Sequence, residues 1–390
     1  MDIIPEIAAN KDEMVAWRRD IHAHPELAYQ EERTADLVAD RLTEWGLQVH
    51  RGLATTGVVG TLHRGDGPVV GLRADMDALP IQETNSFAHR SRHDGKMHAC
   101  GHDGHTAMLL GAARYLAESE EFAGTIRFIF QPAEEAAGGA KVMMEDGLFE
   151  LFPVQAIFGM HNWPGLAVGR FAMRSGAMMA SLDCFDIVIE GRGAHGALPH
   201  QGIDPVHAAA QVVATLQSIV SRNVDPLHAA VISVTKIHGG DAYNIIPDQV
   251  LLGGGIRCFD SEVRELLKAR VVEVVEGVCG GLGARGAVDF VRGFPAVVNG
   301  PAAVGLAADV AAGIVGTENV DAEADPVLGS EDFAYMLEEQ PGCYIFLGNG
   351  AGDGACRIHN PGYDFNDDAI ALGATYWVKL AQAFLRHPVS

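Results

Sequence analysis

Positive charge is scarce in this sequence: 28 Lys and Arg stand against 51 Asp and Glu, a formal net charge of −23. Nucleic-acid binding draws its affinity from clustered cations, so that class of partner is excluded, and an anionic membrane surface would be repelled. A carboxylate-bearing small molecule remains open where local cations or metals reverse the potential in a pocket. No uninterrupted apolar run is long enough to span a bilayer. The opening Met-Asp-Ile-Ile-Pro-Glu lacks the basic and apolar regions of a secretory signal, so a cytoplasmic protein is expected. Six cysteines, at 100, 184, 258, 279, 343 and 356, show no close paired spacing. They read as reduced thiols rather than a disulfide framework, with all but Cys100 expected to be buried. With those classes set aside, 48% hydrophobic and 20% charged residues describe a globular chain, and 390 residues predict about two domains.

The first part alternates helices and strands. Asn10 followed by Glu13 marks a helix start, and Ala35, Val38, Leu42 and Trp45 recur at helical spacing before Gly46. Apolar runs at 58–62, 69–72, 125–130 and 154–158 predict buried strands, with helical patterns at 106–117 and 140–144. That alternation predicts an α/β/α domain around a mostly parallel sheet. From about Ser181 the order changes to strand 182–190, helix 205–221, strands 229–237 and 249–259, helix 262–278 and strand 287–291. The helix over 205–221 is expected to bury Val206, Ala209, Val213, Leu216 and Val220, and Asp260 or Ser261 to cap the one that follows. This β-α-β-β-α-β order is that of a ferredoxin-like domain. An α/β rhythm resumes after Pro295, with a strand at 344–347 and a helix at 369–385. The expected division is therefore a discontinuous domain of 1–180 and 295–390, with 181–294 inserted.

In open α/β sheets ligands collect beyond the carboxyl ends of the strands. Asp75 and Asp77, Glu134 and Glu135, His161 with Asn162, and His359 each follow one of the predicted strands. The densest segment is Met97-His98-Ala99-Cys100-Gly101-His102-Asp103-Gly104-His105. Cys and His suit zinc and its neighbours, and the glycines let the backbone bend donors toward one point. A metal site is the better reading of that segment, while His105 fits a structural role as well as a ligand role. Of Glu134 and Glu135, one can ligate a metal while the other stays free as a proton shuttle. Asp75 and Asp77 either cap a turn or orient a ligand histidine. Read alone, His195, Asn244 and Arg257 are loop or surface residues. Phe333, Tyr335 and Met336 read as core, with a pocket wall as the alternative.

Taken together, RRDIHAHPEL (18–27), GLRADMDALPI (71–81), MHACGHDGH (97–105), FQPAEE (130–135), GMHNWP (159–164), GAHGALPH (193–200), NIIPD (244–248), GSEDFAYML (329–337) and HNPGYDFND (359–367) resemble the metallo-aminoacylase and carboxypeptidase superfamily. Within it they resemble the branch of hippurate hydrolase and the indole-acetyl-amino-acid amidohydrolases. The motifs occur in order over nearly the whole chain, and MHACGHDGH and QPAEE are the most specific.

The resemblance implies two divalent metal ions bridged by Cys100, with His102, Glu135, His161 and His359 completing the ligand set. Other branches use a bridging aspartate, and a His-x-Asp pair where this chain has Asp75-x-Asp77, so zinc, manganese, cobalt and nickel all remain open. It implies hydrolysis of N-acyl-amino acids with Glu134 as general base and His195 meeting the developing oxyanion. Asn244 and Arg257 would contact the oxyanion region and the substrate α-carboxylate. The inserted domain would act as lid and dimerisation domain, with His195 supplied by the partner of a homodimer. The alternatives are a dipeptidase or carboxypeptidase on the same site, a thiol hydrolase with Cys100 as nucleophile, and a non-catalytic metal or peptide carrier.

Overall fold

The computed structural model describes residues 1–119, 122–350 and 356–389. The chain divides into two compact units, one of Met1–Met178, Val298–Asp325 and Asp332–Ser390, the other of Met179–Val297 and Pro326–Glu331.

The first unit is built on an eight-stranded sheet. Its spatial order is Gln48–Leu53, Gly57–Arg64, Gly124–Gln131, Val69–Asp75, Ala156–Trp163, Gly342–Gly348, Phe171–Ala172 and Val320–Asp321. The four central strands run parallel, and the antiparallel pairs lie toward the edges. Both faces are covered, so the central strands are apolar at successive positions rather than at every second one. Val70, Leu72, Phe128 and Phe158 enter one large core with Leu109 and Leu116 of the helix His102–Glu118 and Trp377 of the helix Ile370–Arg386. On the opposite face, Arg73 lies over the ring of Phe333, which packs against Tyr344. Phe333 and Met336 are fully buried there, in line with a core role, while Tyr335 is partly exposed.

The second unit is a four-stranded antiparallel sheet ordered Ala230–His238, Gln249–Cys258, Ser181–Glu190, Arg285–Phe294. The helices Pro205–Asn223 and Ser261–Gly281 bury Ala208, Val212, Leu216, Leu267 and Val271 with Phe185, Ile187, Ile189 and Ile256 of the sheet. In chain order this is β-α-β-β-α-β. Asp204 and Asp260 each cap a helix by accepting two backbone N–H groups.

Two expectations fail in detail. Val206 is 47% exposed, and the buried stripe runs through Ala208, Ala209, Val212, Leu216 and Ile219. That helix is apolar on more than one side, so spacing alone leaves its rotation open and contact with the sheet sets it. Cys184 and Cys356 are only partly buried, whereas Cys258, Cys279 and Cys343 are enclosed, and all six thiols are free. Among the described residues, no helix is long and apolar enough to cross a membrane.

Candidate metal centre

The site gathers where three central strands end. The strand Val69–Asp75 delivers Asp75 and, two residues on, Asp77; Ala156–Trp163 carries His161 near its end. Gly124–Gln131 leads through Pro132 into Ala133, whose φ of 57° turns the chain sharply into the short helix Glu134–Ala137. The helix His102–Glu118 starts after Gly101 at φ 97°, where a Cβ would lie 2.3 Å from Asn162 Nδ2 and 2.6 Å from Tyr363 Oη. Only glycine satisfies both the backbone angle and that close approach.

Around this turn the donors converge. Cys100 Sγ lies 3.3 Å from His161 Nε2, and His161 Nδ1 meets the Asn162 carbonyl at 2.6 Å. The carbonyl can only accept, so Nδ1 carries the proton and the Nε2 lone pair faces the sulfur. His102 Nδ1 is held by Asp77 Oδ1 at 3.2 Å, which turns Nε2 toward Glu135 Oε1 at 3.9 Å and Asp75 Oδ2 at 3.8 Å. Glu135 Oε1 also meets His359 Nε2 at 3.0 Å. Two sets of three donor atoms, Cys100 with His102 and His161, and Cys100 with Glu135 and His359, each fall within 4.8 Å of one another. Cys100 belongs to both. Glu134 forms a further such group with His102 and Glu135.

His105 lies in a further such group with Asp75 and His102, but its nitrogens are engaged elsewhere. Its Nδ1 bonds Asp75 at 2.6 Å, and its Nε2 accepts the Asn162 backbone N–H at 3.0 Å. Both ring nitrogens are therefore spent within the protein, and His105 supports Asp75 and Asn162 rather than offering a lone pair.

The donor set fits a dinuclear cation site. His102 Nε2 is buried without a hydrogen-bond partner, which a lone pair reserved for a cation explains. Burial, followed by repulsion from His105, pushes His161 well below the ordinary histidine range, so its ring is neutral as ligation requires. Burial would likewise lower His102, but Asp75 and Asp77 outweigh it and raise the ring to about 10. Burial pushes the Cys100 thiol well up, and Glu135 and Glu134 add to it. A thiol in such surroundings is a poor nucleophile on its own, and it becomes a thiolate when a cation binds it.

The description "Peptidase family M20/M25/M40" matches residues 71–383. The chain belongs to that family. Among curated M20 relatives, hippurate hydrolase of Campylobacter jejuni is 42% identical over 99% of this chain and 100% of its own length. The IAA-amino acid hydrolase ILR1-like 4 of Arabidopsis thaliana is 42% identical over 96% of this chain and 86% of its own. Among solved structures, a dinuclear metal-binding peptidase of the M20 family from Bacillus subtilis superposes with a TM-score of 0.83. It is 36% identical over 97% of this chain and 99% of that one.

The remaining predicted residues of this M20 chain lie in the second unit. His195 and Ala194 pair antiparallel with Ile245 and Ile246, so His195 and Asn244 are neighbours at the tip of a two-stranded ribbon. His195 is exposed, and its Nδ1 accepts the Ala197 N–H at 3.1 Å, which leaves the proton on Nε2. Arg257 lies near the end of the next strand, Gln249–Cys258, away from the ribbon, donating to the Leu328 carbonyl at 2.6 Å and to Ser330 Oγ at 2.8 Å. The structure thus brings Cys100, His102, Glu134, Glu135, His161 and His359 together with Asp75 and Asp77. It separates His195 and Asn244 from Arg257.

Sequence reasoning did not assign the buried charges behind the site. Asp103 Oδ2 accepts from His22 Nδ1 at 2.9 Å and Arg18 at 3.3 Å, all three side chains being fully buried. Arg18 also meets Asp364 at 2.6 Å, and His22 meets Glu83 at 3.3 Å. Both Arg18 and His22 belong to the RRDIHAHPEL motif, so the signal was present without a role attached. Burial opposes the charge on His22, but Asp103 and Glu83 raise it to about 9. Its folded value exceeds the unfolded one, so its stabilisation is complete below pH ~6.5 and is lost as pH rises through about 9. Urea unfolding at pH 6, 8 and 10 should show a decline on the order of 2–3 kcal/mol that His22→Gln lacks. An unchanged slope in that variant would contradict the assignment.

Proposed function

We propose that this chain hydrolyses the amide bond of N-acyl-amino acids, with hippurate-like, N-acetyl and aryl-acetyl compounds as the substrate class, releasing a carboxylic acid and an amino acid. The observation that carries the reading is Cys100 shared between two donor sets, with the Glu134 carboxylate beside them. The names of the similar hydrolases from Campylobacter and Arabidopsis point to the same chemistry.

Two divalent ions, held by Cys100, His102, Glu135, His161 and His359, would polarise the scissile carbonyl and acidify water. Thiolate, imidazole and carboxylate donors suit zinc, manganese, cobalt or nickel. Glu134 takes the proton from the attacking water and returns it to the departing amine. His195 offers its Nε2–H to the developing oxyanion, and Asn244 beside it serves the same region. Arg257 takes the substrate carboxylate, which answers how so acidic a protein accepts an anion. The first unit is read as the catalytic domain and the second as its lid and dimerisation domain, in a cytoplasmic enzyme.

The register of the second unit supports a homodimer. Arg257 pairs with Leu182 and Gln249 with Glu190, eight strand positions on, and the ribbon of Ile245 and His195 follows after a break at Pro247 and Asp248. At strand rise the eight positions alone span roughly 25 Å, a long reach for one small substrate to touch both residues of one chain. This reach favours a site in which His195 and Arg257 come from different copies. Tyr243, Ile245 and Leu198, exposed around His195, are apolar groups suited to burial against a second copy. Mixing His195→Ala with Glu134→Ala protein after subunit exchange should restore about a quarter of wild-type activity, since a mixed dimer retains one intact site. Two inactive variants that stay inactive together, with exchange verified, would refute the shared site.

The substrate reading is tested by a panel of N-acyl-amino acids and unblocked dipeptides, each assayed with the four metals. Preference for the dipeptides would move the enzyme to the dipeptidase class. Absence of turnover with any metal would favour a carrier. Activity that survives complete chelation but not alkylation would restore Cys100 as nucleophile.

A further inference from the structure

The turn that presents Glu134 is held by carboxylates that lie outside the donor set. Asp77 Oδ2 accepts the Glu135 N–H at 3.0 Å, and Asp332 Oδ2 accepts the Ala140 N–H at 2.9 Å. The third is Glu31, at the start of the helix Glu32–Glu44 and fully buried. Its Oε1 accepts the backbone N–H of Ala133 at 3.0 Å and of Tyr29 at 3.1 Å; its Oε2 accepts the Thr56 hydroxyl at 2.6 Å. Ala133 is a non-glycine residue at φ 57°, a left-handed conformation that persists only where its surroundings enforce it. Its carbonyl is fixed as well, by the Gly139 N–H at 3.0 Å. Burial, offset in part by the Thr56 bond, pushes Glu31 up to about 7.

We propose that Glu31 is a positioning residue for Glu134, anchoring the strained Ala133 turn so that the Glu134 carboxylate is held in its proton-transfer geometry. Unlike Asp77, which also bonds His102, Glu31 makes none of its hydrogen bonds to the donor residues, and Glu135 keeps its own bond to Asp77, so metal content is expected to survive the loss of Glu31. What matters is an acceptor at the Ala133 N–H, not the charge. A glutamine oxygen can serve Ala133 and Tyr29 while the Thr56 hydroxyl turns to accept from the glutamine amide.

The proposal rests on Glu134 as the base, and a mutant cycle separates the two. Glu31→Ala, Glu31→Gln, Glu134→Ala and the double variant Glu31→Ala/Glu134→Ala are assayed well below their unfolding temperatures, with bound metal measured in each. Glu31→Ala should lower kcat about 10–100-fold with KM within about threefold and metal content unchanged, the scale expected of an ångström-level misplacement. Glu31→Gln should stay within about threefold of wild type, and in the Glu134→Ala background Glu31→Ala should have no further effect on kcat. Wild-type kcat in Glu31→Ala, with Glu134→Ala inactive, would overturn the positioning role alone. Normal turnover by Glu134→Ala would overturn the base reading and this proposal with it. If Glu31→Ala does not fold, Glu31→Gln decides: kcat near wild type supports the proposal, and a loss beyond tenfold with metal retained refutes it.

Discussion

Glu134→Ala is expected to lower kcat by about 10²–10⁴, the usual contribution of a positioned general base, with both metal ions still bound. Glu134 is buried at 7% exposure and sits beside His102 and Glu135, but the two donor sets that share Cys100 are complete without it. Its removal should therefore separate metal content, unchanged, from turnover, nearly lost. KM should move little, because the carboxylate acts on water and the leaving amine rather than on the substrate's recognition groups. Metal analysis and steady-state kinetics on one preparation check this. Near-normal kcat with full metal occupancy would show that another group moves the proton.

A second large effect is expected at Cys100. Its sulfur belongs to both donor sets, so on the proposed reading Cys100→Ala should remove one ligand from each ion at once. Changing a group that merely orients a ligand typically costs 10–100-fold in metal affinity, and loss of a bridging thiolate should exceed that range. The variant should retain less than one ion per chain after dialysis and should be inactive, as should wild-type protein after chelation. Wild type should recover when a divalent ion is returned. The variant should not, except at metal concentrations far above those wild type needs. Two tightly held ions in Cys100→Ala would remove the thiolate from the ligand set.

Much of this arrangement was legible in the sequence, for reasons particular to each residue. Cys100 and His102 stand two positions apart at a helix start, so no long-range information is needed to bring them together. Asp75, Glu134 and His161 are placed by the rule that sites form at strand ends, because each closely follows a strong apolar run. His105 could not be assigned, since its role is decided by Asn162, a strand residue 57 positions away. The Arg18, His22 and Asp103 charges were equally opaque. A buried arginine and an exposed one read alike until the helix carrying them is packed. The separation of His195 from Arg257 follows only from strand register, which hydrophobic pattern does not specify along an apolar pair.

The first unit is discontinuous in sequence, and this orders events during synthesis. Cys100, His102, Glu135 and His161 have all emerged before the second unit is made, whereas His359 comes after it. The Tyr363 hydroxyl reaches Asn162 across 201 residues of chain, and the strand Gly342–Gly348 completes the sheet centre against Ala156–Trp163. At the usual pace of about 5–20 residues per second, the early donors wait on the order of ten seconds or more for their last partner. Through that interval an incomplete metal cradle and the unpaired edge of a parallel sheet are exposed together, a state open to wrong ions and to aggregation.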